Sequence, residues 1–417
     1  MSWSLVVQKK QSCAEKEHVI ELVRSFLLSD PSAAVAGNVI TELELSRRRR
    51  DLAEHVEDLR FCDAGHRPER EHAVHVFRLH DGGPESDAFC DGEGEPAAAA
   101  LRPLPARDLH GLWDTLRFDD QVHRDALRFS SAALELAARG ADPLLAGGGR
   151  VLLLHGPPGT GKTSLCRALA HKLAARRGGR AALLEVDAHA LFSRWFSESG
   201  RLVARLFSRA RELAADPRLL LVLLLDEAES LATVRGGPGP EPADGMRAVN
   251  ALLTQLDGLR SMPNVLVLAT SNLAGALDPA FVDRADLRRR VGLPGPGAGY
   301  AVLAQGCGEL MRAGCVEREE LFSLSMLEAV HEAPSATASL RLRGCALAAV
   351  RGGLSGRSLR RLPLLALALR ESGHLPLSLD MFLTSLERAV QSHLTDADQL
   401  SDDINKINLH NNITNGN

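Results

Sequence analysis

From Val151 onward the chain alternates short aliphatic runs with longer stretches in which apolar residues recur at helical spacing. VLLL at 151–154, ALLEV at 182–186, LLLVLLL at 219–225 and VLVLAT at 265–270 are bounded by turn residues or charge. Runs that are apolar on both faces suit strands covered on both sides, and strands of that kind separated by helices build a parallel sheet. The pattern predicts an α/β doubly wound domain. Upstream, HAVHVFRL at 72–79 alternates apolar and polar residues, as a half-buried strand does. His72 and His75 stand three apart on it, on opposite faces, and so make a poor metal pair. Residues 81–105 are rich in Gly, Pro and acidic residues and read as a long flexible linker. After about Pro296 the strand signals stop. Leu/Ala/Arg-rich helical patterns run from Ala301 to about Leu394, with a break over HEAPSATASLRLRG at 331–344. The last stretch, 396–417, is polar and Asn-rich and reads as disordered. The predicted organisation is a small α+β domain at 1–106, flexible at 81–105, an α/β domain at 107–298, a helical domain at 299–395 and a disordered tail at 396–417.

Composition narrows the classes. The 417 residues carry 49 Lys+Arg against 53 Asp+Glu, a formal net charge of −4, so no bulk basic field draws the chain to nucleic acid or an anionic membrane. The longest aliphatic run, Leu219 to Leu225, falls far short of the roughly 20 residues that a membrane span needs. No long apolar segment marks a secretory signal near the start. The seven cysteines are scattered and form no CxxC pair, so a reduced intracellular chain without disulfides or a zinc module is expected. In that setting the glycosylation triplet at Asn412 is chance. The basic run Arg47 to Arg50, followed by DLAEHVEDL, reads as the start of a solvated helix.

The decisive motif is GPPGTGKT: Gly156, Pro157, Pro158, Gly159, Thr160, Gly161, Lys162 and Thr163. It fits G-x-x-x-x-G-K-[ST] and lies between a strand run and a helical run, the context that a phosphate-binding loop requires. The glycines let the loop turn back so that backbone N–H groups and the following helix N-terminus face phosphate. Lys162 can then reach the β- and γ-phosphates of ATP, and the Thr163 hydroxyl can coordinate magnesium. The longest aliphatic run ends in Asp226-Glu227. Parallel sheets bind ligands at the carboxyl ends of their strands, which assigns Asp226 to the magnesium, directly or through water, and Glu227 to deprotonating the attacking water. VLVLATSN puts Asn272 at the end of the next strand, where an amide can hold the γ-phosphate or the lytic water.

Together these features resemble the AAA+ ATPase module. HGLWDTLRF (110–118), LFSRWFSESGRL (191–202), FVDRADL (281–287) and GLSGRSLRRLP (353–363) narrow the likeness to the pachytene-checkpoint AAA+ remodellers, which work on HORMA-domain proteins. The resemblance covers roughly 74–300 and 353–390. It implies a large ATPase domain, a helical lid and an N-terminal domain that recognises substrate and adaptor. By the same likeness, Trp195 and Phe196 fall on the loop that grips an extended client in the pore of a homohexamer, and Arg357 is the lid arginine that, together with Asn272, senses the γ-phosphate. Arg284 is the finger reaching a neighbouring subunit, with Arg288 to Arg290 as alternatives. The resemblance further implies ATP and Mg2+ as cofactors, and a HORMA-domain client presented by an adaptor. It places the protein in spindle-checkpoint silencing and in meiotic synapsis and recombination, in the nucleus and cytoplasm and on chromosomes or kinetochores. No membrane or direct nucleic-acid partner is expected. The rival readings are a DNA-directed AAA+ loader or initiator and a P-loop scaffold that binds nucleotide without hydrolysing it.

Overall fold

The structure is a computed structural model. It describes residues 3–29, 39–62, 73–85, 99–142, 145, 149–178, 180–188, 199–230, 242–273, 275, 277–329, 337–370 and 374–414. The chain forms two compact units: residues 1–114, 122–156 and 162–290 make the first, and 115–121, 157–161 and 291–417 the second.

The first unit holds two sheets. In the smaller one, β1 (Trp3–Gln8), β2 (Val39–Thr41), β3 (Val56–Cys62) and β4 (Ala73–Phe77) run in the order β2-β3-β1-β4. β1 pairs parallel with β4 and antiparallel with β3. Val6, Ile40, Leu59 and Val76 on one face close over Val19, Val23 and Phe26 of the helix Lys16–Ser29. His72 lies outside the described residues.

The larger sheet comprises β5 (Ala99–Leu104), β6 (Val151–His155), β7 (Ala181–Asp187), β8 (Leu220–Asp226), β9 (Val265–Ser271) and β10 (Leu287–Arg290). Their order is β10-β6-β9-β8-β7-β5, parallel throughout except that β5 runs antiparallel to β7. The four aliphatic runs form the interior strands, as their two-sided apolarity requires. Leu153, Leu223 and Val267 pack on one face with Phe207 and Leu253, from the helices Ser199–Ala214 and Pro242–Arg260. The helices Val122–Ala138 and Lys162–Arg177 pack against the sheet as well. The Lys162–Arg177 helix is buried nearly all round, from Leu165 to Ala175, because the smaller sheet covers its far side. There Leu5, Val7, Phe77 and Leu79 meet Ala175.

Several expectations are corrected. The Gly/Pro-rich stretch 81–105 contains β5, whose Pro103 is tolerated because the strand sits at the sheet edge. Both sheets share one unit, so the chain does not divide at residues 106/107. The 298/299 boundary would cut the helix Pro296–Arg312, and the second unit starts at Val291 instead.

That second unit is helical. Pro296–Arg312, Leu324–Ala329, Thr337–Arg351, Gly356–Ala368 and Leu379–Thr414 enclose a core including Leu303, Leu342, Leu359 and Phe382. Two further corrections fall here. The weak-signal stretch 331–344 is helical from Thr337. The tail is helical to Thr414, with Ala397, Leu400, Ile404 and Ile407 recurring at the 3–4 spacing that its polar composition masked.

Candidate functional site

The carboxyl ends of the interior strands lie in register: Asp187 pairs with Asp226, and His155 with Ser271. Asp226 follows Leu225, which pairs with Ala269, so it emerges beside Thr270. Its Oδ1 accepts a hydrogen bond from the Thr163 hydroxyl at 2.9 Å and another from the Thr270 hydroxyl. Thr270 is used fully: its Oγ1 also accepts the Glu227 N–H at 3.3 Å, and its carbonyl accepts the Ala228 N–H at 2.9 Å. This clamp holds Glu227 at φ +58°, left-handed for a residue with a side chain. The conformation costs on the order of 1–2 kcal/mol, and backbone strain of this kind concentrates where function demands a particular direction. Glu227 is exposed at the strand end, within the zone where a parallel sheet holds its ligand. The Thr163 hydroxyl and the Asp226 carboxylate, hard oxygen donors already within 3 Å of each other, fit Mg2+.

The phosphate loop begins at Gly156, whose N–H donates to the Ser271 carbonyl at 3.1 Å. The Lys162 ammonium, 5% exposed, donates to the Gly156 carbonyl at 2.8 Å. His155 is held below its ordinary pKa by burial first and by Arg290 and Lys162 next, so it is neutral near pH 7. Within the second unit, Gly159 is left-handed at φ +76°, and a Cβ there would stand 2.6 Å from the Ser355 hydroxyl. Its carbonyl accepts the Arg357 N–H at 3.0 Å. Ser355 caps the helix Gly356–Ala368 by accepting the Ser358 N–H, so Arg357 stands in its first turn.

At the end of β9, the backbone N–H and side-chain amide of Asn272 both donate to Glu229 Oε1, at 3.1 and 3.0 Å.

A family profile described as ATPase family associated with various cellular activities (AAA) matches residues 152–293. One described as TRIP13-like, AAA+ ATPase lid C-terminal domain matches 295–394. The pachytene checkpoint protein 2 homolog of Canis lupus familiaris is 40% identical over 335 residues, covering 79% of this chain and 77% of that protein. The chain belongs to the pachytene checkpoint protein 2 homolog family of AAA+ ATPases. The homolog of Oryza sativa subsp. indica is 44% identical over 310 residues, and there the match spans 70% of this chain and 65% of the relative. The structure of C. elegans PCH-2 matches with a TM-score of 0.77 at 31% identity, covering 94% of this chain and 99% of that one.

Arg284 of FVDRADL and the two arginines Arg288 and Arg289 that follow the motif have defined local partners. Arg284 makes a two-pronged ion pair with Asp257, Nε and Nη2 reaching the two carboxylate oxygens at 3.0 and 2.9 Å, and its Nη1 donates to the Ala280 carbonyl. The Asp257 hydrogen bonds raise its pKa further. Arg288 donates to the Ala285 carbonyl and Arg289 to Asp125, and both lie on β10 with Arg290. Asp286 accepts the Val151 N–H at 2.9 Å and so anchors the start of β6. Trp195 and Phe196 lie outside the described residues.

Sequence reasoning missed Thr270 and Glu229. The one available signal for each was its spacing: Thr270 lies two residues before Asn272, and Glu229 two after Glu227.

Proposed function

We propose that the chain is an ATP-driven protein remodeller acting as a homohexamer on a closed HORMA-domain client presented by an adaptor. The reading draws on family membership, and the observation that carries it is the Thr163–Asp226–Thr270–Glu227 arrangement, an acidic strand end hydrogen-bonded to Thr163 with its glutamate exposed. The loop Gly156–Thr163 cradles the phosphates by backbone N–H groups, and Lys162 leaves its internal carbonyl for them. Thr163 and Asp226 would hold Mg2+, which would supply charge neutralisation at the phosphate oxygens. Glu227 takes the proton of the attacking water as its oxygen bonds to the γ-phosphorus and the bond to ADP breaks. Asn272 holds the lytic water, Arg357 senses the γ-phosphate from the lid, and Arg284 serves a neighbouring subunit. Trp195 and Phe196 grip the client in the pore. By family likeness the proposal extends to spindle-checkpoint silencing and to meiotic synapsis and recombination, in nucleus and cytoplasm, with chromosome or kinetochore association.

The test is ATP turnover by the purified protein with a HORMA-domain client plus adaptor, or with DNA. Stimulation by client and conversion of its closed form are expected, with Trp195→Ala losing conversion far more than hydrolysis. Stimulation by DNA alone would overturn the reading in favour of a DNA-directed motor.

A further inference from the structure

We propose that Glu229 is the positioning residue of the hydrolytic site: it fixes the Asn272 amide so that Oδ1 faces the reaction, and Asn272 orients the lytic water by accepting its hydrogen bond. The inference rests on the reading of Asn272 as part of the site. Beyond the left-handed Glu227 the chain folds back across the end of β9, with the Ser230 N–H on the Glu227 carbonyl at 3.0 Å and the Ala228 N–H on the Thr270 carbonyl. The fold-back delivers Glu229 to Asn272. Its Oε1 receives the Asn272 backbone N–H, which can only donate, so Oε1 is an acceptor. The side-chain amide that shares this oxygen must therefore present its nitrogen. One of the two amide hydrogens is then committed to Glu229, and the carbonyl oxygen is the acceptor turned away from it.

Two further observations agree. No cation accompanies Glu229 among the ion pairs of the described residues, and its Oε2 is buried without a hydrogen-bond partner among them, so holding Asn272 is the contact that accounts for its place. A carboxylate hydrogen-bonded to Asn272 also disfavours a role in gripping the highly anionic γ-phosphate, because like charges repel, whereas it polarises the amide and makes Oδ1 a better acceptor.

The test uses full-length protein and reads kcat and ATP affinity separately, the latter by calorimetry. Asn272→Asp puts two carboxylates in contact and should lower kcat by more than about tenfold. Adding Glu229→Gln removes one of the two charges and supplies both an oxygen to accept the residue-272 N–H and a nitrogen to donate to the new carboxylate, keeps an acceptor oxygen toward water, and should recover kcat to within about fivefold of the unmodified protein. ATP affinity should stay within about threefold throughout. A double variant no faster than Asn272→Asp would overturn the proposal, since a side chain needed as a donor to phosphate cannot be replaced by a carboxylate. Asn272→Ala distinguishes the two levels. Unchanged kcat in that variant removes Asn272 from the site altogether. Loss in that variant, together with full activity of Glu229→Ala, leaves Asn272 in place and refutes only the role of Glu229.

Discussion

The helix Lys162–Arg177 carries polar groups toward both of its ends, and the two ends use them in opposite ways. At the N-terminal end Lys162 and Thr163 meet a loop carbonyl and a strand-end carboxylate, groups that a bound nucleotide and metal can replace. Toward the C-terminal end His171 is 6% exposed and accepts the Ala106 N–H at Nδ1, 3.3 Å away, with Phe77 edge-on to its ring and His110 tilted against it. Burial above all, then His110, Arg60 and Lys172, push its pKa down to about 3 against a weak opposing pull from Asp108. Around it, His110 and Arg60 converge on Asp58 at 2.6 and 3.1 Å. Although burial works against the charge, these partners hold the Asp58 carboxyl below its ordinary range. Lys172 lies 4.6 Å over the Trp113 ring. One end keeps polar contacts exchangeable; the other locks them to seat the smaller sheet. Substitutions should therefore separate cleanly into losses of chemistry and losses of stability.

The largest separation is expected from Lys162→Ala, which should weaken ATP binding by about 100-fold or more while leaving the unfolding midpoint close to the unmodified value. Concurrent unfolding would break the comparison. Next comes acid sensitivity. His171 has an ordinary pKa of 6.5 and a folded value of about 3, so between those limits the unfolded chain binds a proton that the folded one refuses. Stability should be fully present above pH 6.5 and fall as pH drops toward 3, by an amount on the order of a few kcal/mol. In urea titrations across that range, His171→Leu should start about 1–3 kcal/mol less stable at pH 7, from loss of the acceptor for Ala106, and show a flatter pH slope. An unchanged slope would assign the acid sensitivity elsewhere. Thr270→Val removes the hydroxyl that joins Asp226 to the Glu227 N–H and should lower kcat about tenfold with ATP affinity retained. The smallest effect is expected from Asp257→Ala, because its pair with Arg284 is partly exposed and should contribute less than ~1 kcal/mol to the thermal stability. A larger loss would make Arg284 a structural arginine.

The same contrast explains what the sequence made legible. The interior strands announce themselves because both their faces are buried, and Asp226, Glu227 and Asn272 follow from where those strands end. β5 and β10 were missed because edge strands need apolar residues on fewer sides: AALRPL sits in a Pro- and acid-rich stretch, and LRRR reads as a basic run. Thr270 and Glu229 owe their roles to β8 and β9 lying side by side, a proximity that forty-odd intervening residues conceal. The junction at His171 was invisible for a related reason, since its partners come from β3, β4 and the segment around His110.

The central claim is that this strand end hydrolyses ATP with Glu227 as the base. It is tested most directly by measuring ATP binding and single-turnover hydrolysis in Glu227→Gln, which keeps the side chain's shape and removes its basicity. ATP affinity within about threefold of the unmodified protein and hydrolysis reduced at least about 100-fold are predicted. Hydrolysis at an unaltered rate would contradict the account.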